Sequence, residues 1–177
     1  FLFSATAGQW AEKYEKARSI RRIKLLEIVI AVLAAVGFWL ESLPFLLGVL
    51  FLLGAQSTLF GPIKYAILPQ ALKPEELTGG NGLVETGTFL AILVGTIFGG
   101  VLISEFENGP FLASLAVIAI AVAGYVAARF VPEAPASAPQ LVIDRNPLRA
   151  TWSTLATLKG QRAVLNSVLG ISWFFFF

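Results

Sequence analysis

The sequence predicts an all-α integral membrane protein, and three observations support this prediction. Of the 177 residues, 56% are hydrophobic and only 14% are charged, whereas about 25% are charged in an average soluble domain. The mean hydropathy is +0.78. Long apolar runs recur, and a helix needs about 20 apolar residues to cross roughly 30 Å of hydrocarbon. These runs cover residues 25–43, 43–63, 81–104, 110–130 and 161–177.

The basic residues mark one side of the predicted membrane. All 13 Lys and Arg residues fall in alternate gaps between the apolar runs. The other two gaps, around Glu41 and from 104 to 110, contain no basic residue, and their charged residues are all Glu. Basic loops stay in the cytoplasm in polytopic membrane proteins, so we expect a multi-pass protein of the bacterial inner (plasma) membrane. The loops expected to be cytoplasmic are 10–24, 64–80 and 131–160.

The first predicted elements surround a charged loop. Residues 1–9 are typical of the last turns of a membrane helix, and residues 10–24 carry too many charges to remain in lipid. We therefore expect a loop over 10–24 and a helix over 25–42. Trp39 then falls at the interfacial depth that aromatic side chains prefer.

Proline and glycine residues predict the next boundaries. Pro44 suits the first turn of a helix, where its missing N–H costs nothing, and the pair Gly61-Pro62 is expected to end that helix. Pro69 and Pro74 should prevent one continuous helix across the following segment. The next span is expected to start near Thr78 and to climb through residue 103.

After one more predicted turn and helix, the composition of the chain changes. A short external turn is predicted over 105–110, followed by a helix over 111–130. Residues 131–150 are rich in Pro, Ala and Ser, which is typical of a flexible or polyproline-like linker. An interfacial helix is expected from Thr151 to Lys159, before the last apolar run.

Polar side chains within or beside the apolar runs are the candidates for a substrate pathway. Lys64 follows Pro62 at the depth of a lipid phosphate, where it could hold a phosphodiester or extend to the headgroups. Glu85 shares a helical stripe with Asn81 and Thr88. Carboxylates in a membrane usually face a cavity or a partner, so Glu85 could pair with Lys64 or lie exposed near the interface.

Two further polar features have competing structural interpretations. Gln56 lies in the middle of a predicted span and could line a cavity or form a hydrogen bond with a neighbouring helix. Glu27 is expected to pair locally with Lys24, three residues away.

Small residues predict close helix packing in one span. Gly87, Gly95 and Gly99 fall on one stripe, and a glycine pair four residues apart lets two membrane helices approach closely.

The composition argues against an enzyme. The chain has neither Cys nor His, which removes imidazole general bases, triads that need histidine, and Cys or His metal ligands. Neither a phosphate-binding glycine loop nor a nucleophile elbow is present. We therefore expect no cofactor, no metal site and no covalent chemistry. The basic residues belong to the predicted cytoplasmic loops, so we expect no nucleic-acid partner either.

Two groups of residues resemble known families. The segment from Gly8 to Arg18 resembles the loop signature of the major facilitator superfamily: Gly8, Lys13 and Lys16 match, Glu12 replaces the usual Asp, and Glu15 replaces a Gly. The loop could otherwise be an ordinary basic loop with balancing acids. The segments GPIKYAILPQ (61–70) and NGLVE (81–85) resemble the lysophospholipid transporter branch of that superfamily.

The resemblance implies a fold and an activity. It implies the N-terminal six-helix half of a transporter without its first helix, plus the start of helix seven. It also implies that the Gly8–Arg18 loop, with Glu12, Lys13 and Lys16, acts as a conformational latch. The activity implied is movement of lysophospholipid from the outer to the inner leaflet by alternating access. A small-solute or drug transporter and a non-transporting lipid-binding scaffold remain alternatives. The expected domains are a bundle at 1–130, a cytoplasmic linker at 131–160 and the next bundle from 161 to 177.

The family also implies partners. Membrane lipids and a lysophospholipid substrate are expected, and relatives of this kind occur alone or fused to an acyltransferase. That acyltransferase would need a His in its active site, so we do not expect it within these 177 residues. Because the chain begins and ends in apolar sequence, we expect it to be an internal piece of a longer protein.

Overall fold

The computed structural model describes residues 4–144, 146–158 and 162–176, which form eight α-helices and no strand. The all-α prediction is confirmed. The helices are α1 (Ser4–Lys13), α2 (Lys16–Trp39), α3 (Leu43–Ala66), α4 (Leu68–Ala71), α5 (Leu77–Glu105), α6 (Gly109–Ala128), α7 (Pro147–Leu158) and α8 (Arg162–Phe176), with a 3₁₀ turn at Pro74–Glu76.

Three helical segments of the described chain are long and apolar enough to cross a membrane, namely Leu43–Ala71, Pro74–Glu105 and Gly109–Ala128. They correspond to three of the five predicted runs, and the run 110–130 extends two residues beyond its segment. The run 25–43 lies largely within α2, which still carries charged residues in its final 18 positions. The run 161–177 contains the 15-residue helix α8.

Two predicted boundaries were wrong. The charged loop expected over 10–24 is almost entirely helical, because α2 begins at Lys16 and only Tyr14 and Glu15 separate it from α1. The Glu15 side chain caps α2 by accepting hydrogen bonds from the backbone N–H groups of Ala17 and Arg18, at 2.9 and 2.6 Å. Such a cap satisfies N–H groups that a helix leaves without partners, so the helix can start earlier than apolar periodicity suggests.

The expected end of α3 at Gly61-Pro62 was also wrong. Pro62 lies inside α3, which continues to Ala66. Pro removes one backbone hydrogen bond, and membrane helices tolerate this where neighbouring groups compensate. The predicted break after it is confirmed, since Pro69 and Pro74 fall in two separate short elements before α5 begins at Leu77.

The helices share a buried core at one end of the bundle. α2 lies between α3 and α6, and α1 packs on α3. The buried core consists of small and branched side chains at the end where the Lys/Arg-rich segments meet: Ala11, Ile20, Ile23, Ile63 and Ala128. At the opposite end a cavity of about 950 Å³ separates α2, the start of α3 and α6. The helix pair α5–α6 extends the bundle sideways, and α5 contains no buried residue.

The segment 131–144, which we call the strap, lies within the predicted flexible or polyproline-like linker. It has no helix or strand, yet Ala134 is only 2% exposed. Arg21 of α2 anchors its start by donating hydrogen bonds to the carbonyls of Ala128 and Val131. A helix is present where one was expected at 151–159: α7 begins four residues earlier, at Pro147, and Lys159 lies outside the described residues. The interfacial position of α7 stays a prediction.

Candidate functional site

Lys64 lies between two predicted spans. Its Nζ atom donates a hydrogen bond of 3.2 Å to Oγ1 of Thr88 on α5, and it sits 4.8 Å from the centre of the Tyr65 ring. The Thr88 hydroxyl in turn donates to the carbonyl of Val84, at 2.7 Å. The side chain is half-buried. Lys64 and Thr88, both predicted as pathway residues, are therefore brought together.

The other members of the α5 stripe do not join this contact. Glu85 is half-buried, but the described residues contain no ion pair between it and Lys64. The pairing considered from the sequence is therefore not formed in this structure, because Lys64 turns to Thr88. Asn81 is exposed and donates to the carbonyl of Leu77 within its own helix, at 2.9 Å.

Gln56 joins a polar network between α2 and α3. It is 7% exposed, and its Nε2 atom donates to Oε2 of Glu27 at 3.1 Å. The same carboxylate oxygen pairs with Lys24 at 2.8 Å, which confirms the predicted local pair. The Lys24 ammonium also lies 5.0 Å from the centre of the Phe60 ring. Of its two interpretations, Gln56 here adopts the interhelical hydrogen bond.

The residues of the predicted latch occupy the corner between α1 and α2. Gly8 and Lys13 belong to α1, with nothing within 4 Å of the place where a Cβ of Gly8 would stand. Glu12 is exposed, and its backbone carbonyl accepts a hydrogen bond from the strap. Lys16 is only 1% exposed, whereas Arg18 is exposed and uses its backbone N–H in the helix cap.

Lys16 holds the strap against this corner. Its Nζ atom donates to the carbonyl of Pro135 at 3.1 Å and to Oγ of Ser137 at 2.8 Å. From α4, Gln70 donates to the same two groups at 3.2 and 3.4 Å. Backbone hydrogen bonds from Lys16 to Ala134 and from Ala138 to Glu12 extend the contact. The strap therefore lies between the α1–α2 corner and α4.

The electrostatics of the corner follow from this docking. Burial raises the pKa of the Glu15 carboxyl, but backbone hydrogen bonds from Ala134, Arg18 and Ala17, with the charge of Arg18, outweigh burial and leave this pKa below its usual value. Burial lowers the pKa of the Lys16 ammonium, although the charges of Glu12 and Glu15 oppose it. The corner is a hydrogen-bonded junction between three segments.

The three glycines of the predicted packing stripe on α5 have open space beside them in the described chain, apart from their own helix. No atom lies within 4 Å of the place where a Cβ would stand at Gly87, Gly95 or Gly99. Close packing at these glycines stays a prediction.

The chain matches a known family along its whole length. The family model of the Major Facilitator Superfamily covers residues 1–177. The chain belongs to the Major Facilitator Superfamily. The resemblance expected from the Gly8–Arg18 segment is confirmed, and the all-α membrane architecture agrees with half of a transporter of this superfamily.

Individual members of the superfamily are also similar to the chain in sequence. The lysophospholipid transporters LplT of Enterobacter sp. (strain 638) and of Salmonella enteritidis PT4 (strain P125109) are each 34% identical to the chain over 139 residues. That region is 78% of this chain and 32% of each relative, so the match spans about a third of the relatives' length. These relatives are named as transporters. No solved structure matches the chain significantly.

Several contacts of the candidate residues were not predicted from the sequence of this superfamily member. Tyr65 lies under the Lys64 ammonium, and its position next to Lys64 in sequence was the available signal. Gln70 falls within the GPIKYAILPQ segment, but nothing local indicates that it binds the strap. The burial of Lys16 had no local signal either, because its partners are 119 and 121 residues away.

Proposed function

We propose that this protein transports lysophospholipid of the lysophosphatidylethanolamine type from the outer to the inner leaflet of a bacterial inner membrane. Membership of the Major Facilitator Superfamily and similarity to proteins named lysophospholipid transporters support the proposal. Transport proceeds by alternating access, in which two helix bundles rock about a central substrate path. Residues 1–130 belong to one bundle, 131–160 connect the bundles, and 161–177 begin the second.

The environment of the Lys64 side chain is the observation that best supports the proposal. Its ammonium is half-buried between α3 and α5, and its side-chain hydrogen-bond partner is a neutral hydroxyl. No carboxylate in the described parts of the chain lies within ion-pair distance of it. A lipid phosphodiester would supply the missing negative charge, and a hydrogen bond to a charged group contributes about 1.5–3 kcal/mol. Thr88 keeps its own donor hydrogen on the Val84 carbonyl, so Lys64 is the donor to the phosphate in this proposal.

The remaining pathway residues have supporting roles in this proposal. Glu85 and Asn81 form the polar edge of α5 along which the headgroup moves, while the acyl chain stays in contact with membrane lipid. Gln56 reaches the path when its hydrogen bond to Glu27 opens. The α1–α2 corner latches one of the two states. An acyltransferase, fused or separate, is the expected consumer of the lipid delivered to the inner leaflet.

Lys64→Ala in the full-length protein tests the headgroup role. Spheroplasts that express the protein are given labelled lysophosphatidylethanolamine, and its appearance in the inner leaflet is followed over time. We expect the rate to fall by roughly 10-fold or more, as loss of a charged hydrogen bond implies. Lys73→Ala is the matched control, because Lys73 is exposed in the same predicted cytoplasmic segment.

The outcomes separate the alternatives. Equal loss in both lysine variants would indicate a general effect of loop charge, and unchanged transport with Lys64→Ala would remove Lys64 from the site. If the folded wild-type protein moves no lipid, a transporter of small solutes replaces the proposal. Binding without movement would instead identify a lipid-binding scaffold.

A further inference from the structure

The cavity at the open end of the bundle has the shape of a cleft for one lipid chain. Its walls are apolar side chains of α2, the start of α3 and α6, including Val32, Leu46, Phe111 and Leu115. Along α6 the lining runs from Pro110 to Ile118, a distance of about 12 Å at 1.5 Å per residue. One leaflet is about 15 Å deep, half of the roughly 30 Å hydrocarbon thickness. The cleft therefore spans most of one leaflet.

The rim of this cleft is acidic. Glu41 and Glu107 line its mouth beside Asn108, and no Lys or Arg residue lines it. Neither carboxylate belongs to an ion pair within the part of the chain that the structure describes. An apolar cleft with negative charge at its mouth complements a ligand that combines a hydrocarbon chain with a cationic group, and it disfavours an anionic headgroup.

Glu41 occupies a backbone conformation that its side chain does not favour. It follows the end of α2 with φ of 50°, the left-handed region in which glycine is usual at this position. The N–H groups of Glu41 and Ser42 donate to the carbonyls of Phe38 and Gly37, each at 3.2 Å. Glycine would satisfy this turn better than Glu, so a Glu41→Gly variant removes the carboxylate and keeps the fold.

We propose that this cleft binds a phospholipid with an ammonium headgroup, of the ethanolamine type, from the leaflet opposite to the Lys64 end. One acyl chain lies between α2 and α6, and the ammonium contacts the carboxylates of Glu41 and Glu107. The phosphate faces water, away from both acids. The site is distinct from the Lys64 contact, which is formed by α3 and α5 at the other end of the molecule, and it does not depend on transport.

Photolabelling tests the proposal on the purified full-length protein. The probe is lysophosphatidylethanolamine with a photoreactive group in its acyl chain, and mass spectrometry locates the labelled peptides. We expect labelling of α2 and α6 at the cleft, with competition by unlabelled lysophosphatidylethanolamine and little competition by lysophosphatidylglycerol. Glu41→Gly combined with Glu107→Gln should lower the labelling by roughly fivefold, the loss expected for two exposed charge contacts.

A control variant and the position of the labelling make the outcome decisive. Glu105→Gln removes an exposed acid near the same end that does not line the cleft, and it should leave the labelling unchanged. The labelling is read on α2 and α6 and needs no transport step, so failure of the transport proposal and failure of this site can be told apart. Equal competition by both lipids in the wild-type protein, or full labelling of the double variant, would overturn the proposal.

Discussion

The contact between Gln56 and Glu27 shows how a neighbouring helix decides the role of one polar side chain. The Glu27 carboxylate is shared between Gln56 and Lys24. Carboxylates in a membrane protein are costly and usually face a partner or a cavity. The network therefore fixes α2 against α3, and Gln56 is available to a substrate only if this hydrogen bond breaks.

Gly109 gives a prediction at the residue scale. A Cβ at this position would meet the backbone carbonyl oxygen of Leu102 and would lie 2.8 Å from Cα of Ile103. Backbone atoms cannot move aside as a flexible side chain can, so Gly109→Ala should destabilise the protein by about 1–3 kcal/mol. Thermal unfolding of the purified protein measures this loss. Gly100→Ala is the control, because nothing lies within 4 Å of its Cβ position; equal melting of the two variants would contradict the prediction.

Part of the candidate site could be predicted from the sequence because it depends on helical spacing. Lys64 and Thr88 were expected to share a pathway, and they share a hydrogen bond. The specific partner of Lys64 was not predictable, since Glu85 and Thr88 are one turn apart on the same stripe and helical spacing alone does not distinguish them. The burial of Lys16 depends on a segment more than 110 residues away, which no local pattern indicates.

At the scale of elements, the docking of the strap against the helices is the feature that the sequence did not predict. Its Pro, Ala and Ser residues suit a flexible linker, but small side chains also allow its backbone to approach a neighbouring surface. The backbone hydrogen bonds at Ala134 and Ala138, with those from Lys16 and Gln70, hold it in place. Because the strap is held in this way, it connects α1, α2 and α4 to α7, the helix that follows it.

Hydrogen exchange tests this coupling. The Ala134 amide donates to the Glu15 carboxylate at 3.1 Å, so Glu15→Gln should lower the protection factors of Ala134 and Ala138. A charge-assisted hydrogen bond of about 1.5–3 kcal/mol predicts a fall of roughly 10-fold or more. Glu133→Gln is the matched control, since Glu133 is an exposed acid on the strap itself. Similar exchange in the two variants would show that Glu15 does not hold the strap.

The same bond predicts a pH dependence with a definite sign. The folded-state pKa of Glu15 lies below its usual value, so the folded state binds this proton less readily than the unfolded state. Its contribution to stability is therefore complete above the usual carboxyl pKa and is lost as the pH falls through the lower, folded-state pKa. Acidification should lower the protection factor of Ala134 in the wild-type protein, and Glu15→Gln should remove most of this dependence.

At the scale of the whole molecule, fold class was easier to predict than helix boundaries. Hydropathy and charge act over about 20 residues, so the spans over 43–63, 81–104 and 110–130 were located correctly. Boundaries depend on single side chains instead: the Glu15 cap starts α2 early, and Pro62 does not end α3, which continues to Ala66. Which end of the bundle would be open was not predictable, because it depends on how α2, α3 and α6 diverge.

The orientation of the whole molecule is the last prediction, and these 177 residues contribute no cysteine of their own to a labelling experiment. The strap contacts both the α1–α2 corner and α4 through Ser137, so the Lys/Arg-rich segments meet at one end. Glu41 and Glu107 line the cleft at the other end. If the basic end is cytoplasmic, a membrane-impermeant maleimide should label Glu107→Cys in spheroplasts with intact inner membranes. Glu75→Cys and Gln140→Cys, both at exposed positions of the basic end, should react only after the membrane is permeabilised. The opposite pattern would invert the topology and would place the Lys64 contact in the outer leaflet, where it could not release lipid to the cytoplasmic side.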